Sequence, residues 1–167
     1  MNLPRFVSHS TFVAMSLQII LAYEWLVGGL EKLYEGMFVS NIHQTLSHFE
    51  NGNPHSWYVN SMLHLAKASP NVFGSLVEWG ELLVGIGLIT AMVVYIFNTK
   101  MAWKNRAKYL ALAALLGGVF MNLNFYYAAG WTSPSTGGLN MLMFWMQLIL
   151  VIFWLVSLNQ TDQTKAR

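Results

Sequence analysis

Two carboxylates three residues apart, Glu78 and Glu81, stand inside the apolar run NVFGSLVEWGELLVGIGLIT at residues 71–90. Gly74, Glu78, Glu81 and Gly85 recur at i, i+4, i+7 and i+11, so a helix places them on one stripe, with small residues flanking two acids. A carboxyl group in an apolar helix of membrane length costs a few kcal/mol, so it is expected to face a protein interior or a wet cavity, where it is a candidate functional group. Three other apolar segments carry polar groups of the same kind. Glu31 and Lys32 lie in WLVGGLEKLYEG, with Glu24 seven residues before Glu31 on the same face. Asn122 and Asn124 lie in GGVFMNLNFYYAAG, and Asn140 and Gln147 follow on the last segment. Glu24, Glu31, Glu78 and Glu81 are set against one cation within these segments, Lys32. That imbalance suits groups that hold and release protons. The same residues could instead bridge helices through hydrogen bonds, and the sequence leaves both readings open.

Positioning these groups calls for membrane helices. The chain has 167 residues, 55% of them hydrophobic and only 10% charged, with a mean hydropathy of +0.44, which is too apolar for an ordinary soluble domain. Residues 11–34, 72–97, 109–129 and 139–158 are each long enough, at 1.5 Å per residue, to cross a hydrocarbon core of roughly 30 Å. The expected fold is an all-α integral membrane protein, one domain over residues 1–167, built as a bundle of four transmembrane helices. The connection 37–70 is too long to be a plain turn. Phe38, Ile42, Leu46 and Phe49 recur at helical spacing, and Ser56 can cap a second short helix, so interfacial helices are expected there.

Lys100, Lys104, Arg106 and Lys108 crowd the connection between the second and third spans, with Arg5 near one terminus and Lys165 and Arg167 near the other. By the positive-inside rule both termini and residues 98–108 are cytoplasmic, and the loop 37–70 lies outside the cytoplasmic membrane. In that frame the polar groups gather in the outer half, while the cytoplasmic halves read as nearly all apolar. Asn122 and Asn124 are about 200° apart around their helix, so only one can enter a common cavity. Asn122, four residues after Gly118, is the expected one.

Several functions have little support. The net charge of +2 and its dispersal in short loops argue against nucleic-acid binding. With no cysteine, a thiolate metal site, an iron–sulfur cluster or a redox dithiol cannot form. The five histidines, His9, His43, His48, His55 and His64, lie outside the spans, so a bis-histidine haem is not expected. Their spacing fits no metal-ligand pattern either, although one of them could relay protons. No signal peptide is read at the N-terminus.

NGNPHSWYVNSML in the loop, LVEWGELLVGIGLIT and GGVFMNLNFYYAAG, together with WLVGGLEKLYEG, resemble the DoxD family of the wider DoxX group. DoxD is the small membrane subunit of thiosulfate:quinone oxidoreductase. The resemblance runs from about Glu24 to Asn140. It implies a four-helix subunit taking part in quinone-linked oxidation of thiosulfate at the outer face, with Glu31, Lys32, Glu78, Glu81, Asn122 and Asn124 as carried-over residues. It also implies a DoxA partner, for which the nine residues after the fourth span leave no room.

The expected site therefore has Glu31, Glu78 and Glu81 as proton-carrying catalytic groups and Lys32, Trp79, Asn122 and Asn124 as quinone-binding residues, with no metal. The expected partners are the lipid bilayer, other subunits or further copies of the chain, and a quinone. The alternatives are a non-catalytic structural or assembly subunit of a larger membrane complex, and a small proton-coupled transporter, which would need an inward path.

Overall fold

Helices carry almost all of the chain, and their limits follow the turn residues. The computed structural model describes residues 9–165. Its first helix, α1 (His9–Glu35), ends at Gly36, whose φ of 65° is a left-handed conformation that glycine adopts without a Cβ clash. The segment between the first two long helices folds as α2 (Phe38–Glu50), α3 (Ser56–Tyr58), a π-helical turn at Val59–Leu63, and α4 (His64–Ala68). Then come α5 (Pro70–Phe97), α6 (Met101–Ala129) and α7 (Pro134–Lys165). Pro70 stands in the first turn of α5 and Pro134 opens α7, positions where the missing N–H costs nothing.

Four helices, α1, α5, α6 and residues 134–160 of α7, are long and apolar enough to cross a membrane. Their outward faces carry large exposed apolar side chains such as Ile20, Leu83, Leu116 and Ile149. This is the architecture of a membrane protein, because only lipid leaves such surfaces without cost. The third and fourth spans begin earlier than residues 109 and 139. Lys100, Lys104 and Arg106 stand at or near the start of α6 rather than in a loop. Two of the three charged groups lie over aromatic rings, Lys104 Nζ 5.2 Å from the centre of Tyr95 and the Arg106 guanidinium 4.8 Å from that of Trp103.

One core lies between the long helices, around Leu21, Trp25, Leu88, Leu115, Leu150 and Trp154. A second, around Ile42, Leu46, Tyr58, Leu63, Ala66 and Ala128, seats α2 and α3–α4 on one end of the bundle. Helices α1 and α5 are held unusually close. A Cβ built on Gly29 would lie 2.9 Å from the Leu82 backbone nitrogen, and one on Gly85 would lie 3.0 Å from that of Leu26.

Candidate functional site

The buried stripe of α5 does what its spacing predicts. Gly74 meets Ile42 of α2, Gly85 meets Leu26 of α1, and between them Glu78 and Glu81 are both buried. Glu81 Oε2 accepts a hydrogen bond from Lys32 Nζ at 2.7 Å. The Glu81 side chain is 5% exposed and that of Lys32 25%. Gly28, one turn before Lys32, makes room for the carboxylate: its Cβ would stand 3.2 Å from Oε2. The ammonium also donates to the Gly28 carbonyl at 3.2 Å and stands 5.3 Å from the centre of the Phe38 ring. Two of its three hydrogens are thus committed.

This pair is the polar end of a half-open cavity of about 250 Å³. Phe38, Phe49, Phe73 and Phe125 form apolar walls, and Thr45, Asn140, Tyr58 and Asn124 add polar atoms. The π-helical turn widens the backbone there, so that Tyr58 and Leu63, five residues apart, both reach the cavity. Tyr58 donates its hydroxyl hydrogen toward Asn124, with both the backbone carbonyl and Oδ1 at 3.1 Å. Burial pushes the Tyr58 phenol up to about 12, since the phenolate would lose its hydration. Asn53 ties the loop before α3 to α6, donating to the Tyr127 carbonyl at 3.0 Å. An ion pair between Lys67 and Glu50 joins α4 to α2, and the hydrogen bond from Lys67 holds the Glu50 carboxyl below its ordinary range.

The expected residues divide around this cavity. Lys32, Glu81 and Asn124 line it. Glu78 is buried one turn from Glu81, and Glu31 lies beside Lys32 on the exposed face of α1. Trp79 is 56% exposed on the opposite side of α5, against a shallow surface groove with Asn71, Ser75 and Leu76. The two asparagines exchange the places expected of them. Asn122 is buried away from the cavity and donates to Gln147 Oε1 at 3.2 Å, while Asn124 faces the cavity. The 200° between them is as expected, but the rotation of α6 is set by the helices packed against it. Glu24 is exposed near the middle of α1. Among the described residues no three of His, Cys, Asp and Glu gather to hold a metal ion, and His55 packs edge-on against Tyr127 at 5.2 Å.

The half of the bundle away from the cavity is less apolar than its composition implies. Gln18 is buried, donates to the Leu88 carbonyl at 2.8 Å and accepts from Trp154 Nε1 at 2.9 Å. Lys108 is buried and donates to the Ser157 carbonyl at 2.8 Å. Tyr58 was also missed from sequence, because an aromatic residue in a loop reads as an interfacial anchor. A signal for Gln18 does exist: QIILAYEW on α1 matches QLILVIFW on α7 at glutamine and tryptophan, seven residues apart in each.

The cavity suits one flat ring better than a bulky ligand, being somewhat below the 300–1,000 Å³ of common ligand pockets. Four phenylalanines offer ring faces or edges, and one ammonium hydrogen and one carboxylate offer polar contacts at one end. Compared with protein-family models, with curated proteins and with solved structures, the chain matches none.

Proposed function

We propose that the chain is the membrane subunit of a quinone-linked oxidoreductase of the thiosulfate:quinone type, whose DoxD segments its sequence resembles, and that the cavity beside Lys32 and Glu81 receives the quinone ring. The observation that carries this reading is the pair itself: an ammonium and a carboxylate 2.7 Å apart, closing one end of an otherwise apolar, half-open space. When bound, a quinone supplies a two-electron acceptor that takes up two protons. The third Lys32 hydrogen would orient a carbonyl oxygen, and Glu81 would hold the proton nearest to it. Glu78, buried one turn along, and Glu31, beside Lys32, would carry protons to and from Glu81. The phenylalanine walls would exclude water. By the distribution of basic residues this end of the bundle faces outward from the cytoplasmic membrane, where an anionic sulfur donor and a DoxA-like partner would act.

The test is quinone content and thiosulfate-dependent reduction of decylubiquinone by the detergent-purified protein, native and Glu81→Gln, with and without co-purifying chains. Bound quinone, and turnover lost in the variant, is the expected result. No quinone and no turnover, even with partner chains retained, overturns it.

A second reading, a structural subunit of a larger complex, is favoured by Glu24. An acid exposed near the middle of a span calls for a neighbouring helix to meet it. In that case Glu24→Leu would change assembly and leave cofactor content unaltered.

A further inference from the structure

Two tryptophan–glutamine pairs join α1 and α7, and they are not equivalent. Gln18 and Trp25 on α1, and Gln147 and Trp154 on α7, are each seven residues apart, two turns along a helix. The helices run antiparallel, so each tryptophan meets the other helix's glutamine. In the first pair every group is satisfied: Trp154 Nε1 donates to Gln18 Oε1 at 2.9 Å, and Gln18 Nε2 donates to the Leu88 carbonyl at 2.8 Å. In the second, Asn122 donates to Gln147 Oε1 at 3.2 Å, which turns Gln147 Nε2 away, toward Gly118 and Trp25. Gln147 Nε2 and Trp25 Nε1 both lie within 3.2 Å of the point a Gly118 Cβ would occupy. Neither has a hydrogen-bond partner, although Gln147 is 0% and Trp25 3% exposed.

Two buried N–H groups converging without an acceptor call for one, since buried donors are almost always paired. A single oxygen with two lone pairs can satisfy both. Both donors are neutral, which favours an uncharged oxygen over an anion, whose burial needs a cation. We propose that Trp25 Nε1 and Gln147 Nε2 together bind one uncharged oxygen acceptor in the bundle interior, either a buried water or the carbonyl oxygen of a ring entering from the cavity. Phe125 connects the cavity to these donors: it lines the cavity, and its ring centre is 6.3 Å from that of Trp25. The ring source rests on the quinone reading given above. The water source is independent of it.

The test is nuclear magnetic resonance of the full chain in detergent micelles with nitrogen-labelled tryptophan. The Trp25 indole is assigned by its loss in Trp25→Phe or, should that variant not fold, by elimination through Trp57→Phe, Trp79→Phe and Trp145→Phe and the remaining tryptophans in turn. A water in the site gives magnetisation transfer between that indole proton and water in the quinone-free protein, whatever decylubiquinone then does. A ring carbonyl gives no such transfer and a downfield shift of the indole proton, toward the position of Trp154, when decylubiquinone is added. An indole showing neither water contact nor response overturns the proposal, because Gln147 would then serve Trp25 with its own oxygen. Absence of both quinone and thiosulfate turnover with partner chains retained, together with water contact at Trp25, would sink the quinone reading and leave this site standing.

Discussion

Lys32 Nζ and Glu81 Oε2 meet at 2.7 Å although the residues are 49 positions apart, and the glycine at position 28 leaves the space in which they do so. The pair joins α1 to α5 one turn from the tight Gly29–Leu82 contact and lines the cavity. A carboxylate 5% exposed beside an ammonium 25% exposed ties the packing of the bundle to the polar end of the cavity.

Removing one partner of this pair leaves the other uncompensated. Lys32→Met is expected to destabilise the protein by about 3 kcal/mol, toward the lower end for buried pairs because Lys32 keeps some contact with solvent. Glu81→Gln should cost less, since a neutral amide still accepts from the ammonium. The double variant should cost clearly less than the sum of the two, and denaturant unfolding in micelles around a full cycle measures it.

Close approach of α1 and α5 depends on hydrogen at Gly29. Gly29→Ala forces a methyl group against the Leu82 backbone and should cost about 1–3 kcal/mol of overpacking. Gly138→Ala, whose methyl group would meet nothing within 4 Å, is the control and should leave the unfolding midpoint unchanged or raised.

Tyr58 should ionise late. Its folded value of about 12 lies above the ordinary 10.0, so between those two values the folded protein holds a proton that the unfolded chain has lost. The stabilisation is therefore complete below about pH 10 and disappears as pH rises through about 12. Phenolate absorbance should show a titration step near pH 12 that Tyr58→Phe removes.

Glu50 behaves in the opposite sense. Lys67 holds its carboxyl below the ordinary 4.5, so the pair contributes above that value and the contribution is lost as pH falls through the lower, folded one. Carbon-detected titration of glutamate carboxyls should find the Glu50 carboxyl below the ordinary glutamate range. Lys67→Met should return it to the ordinary range.

Much of this architecture is dictated by local pattern. Four apolar segments of membrane length force four helices, because no other open structure satisfies its backbone in lipid. The period of Gly74, Glu78, Glu81 and Gly85 makes them one face whatever that face meets, and Phe38, Ile42, Leu46 and Phe49 do the same for α2. What the period leaves open is rotation about each helix axis and the choice of neighbour, which side-chain packing decides. That is why Glu81 meets the lysine, why Asn124 rather than Asn122 reached the cavity, and why Trp79 turned outward. It is also why Gln18 and Lys108, single polar residues in apolar surroundings, became buried members of a half that composition had marked as featureless. The sequence on its own determined the helices and the spacing of their polar groups. Only the packing of four helices around common centres decided which of those groups share a space, because a contact between distant segments depends on how whole faces fit and not on any one residue's preference.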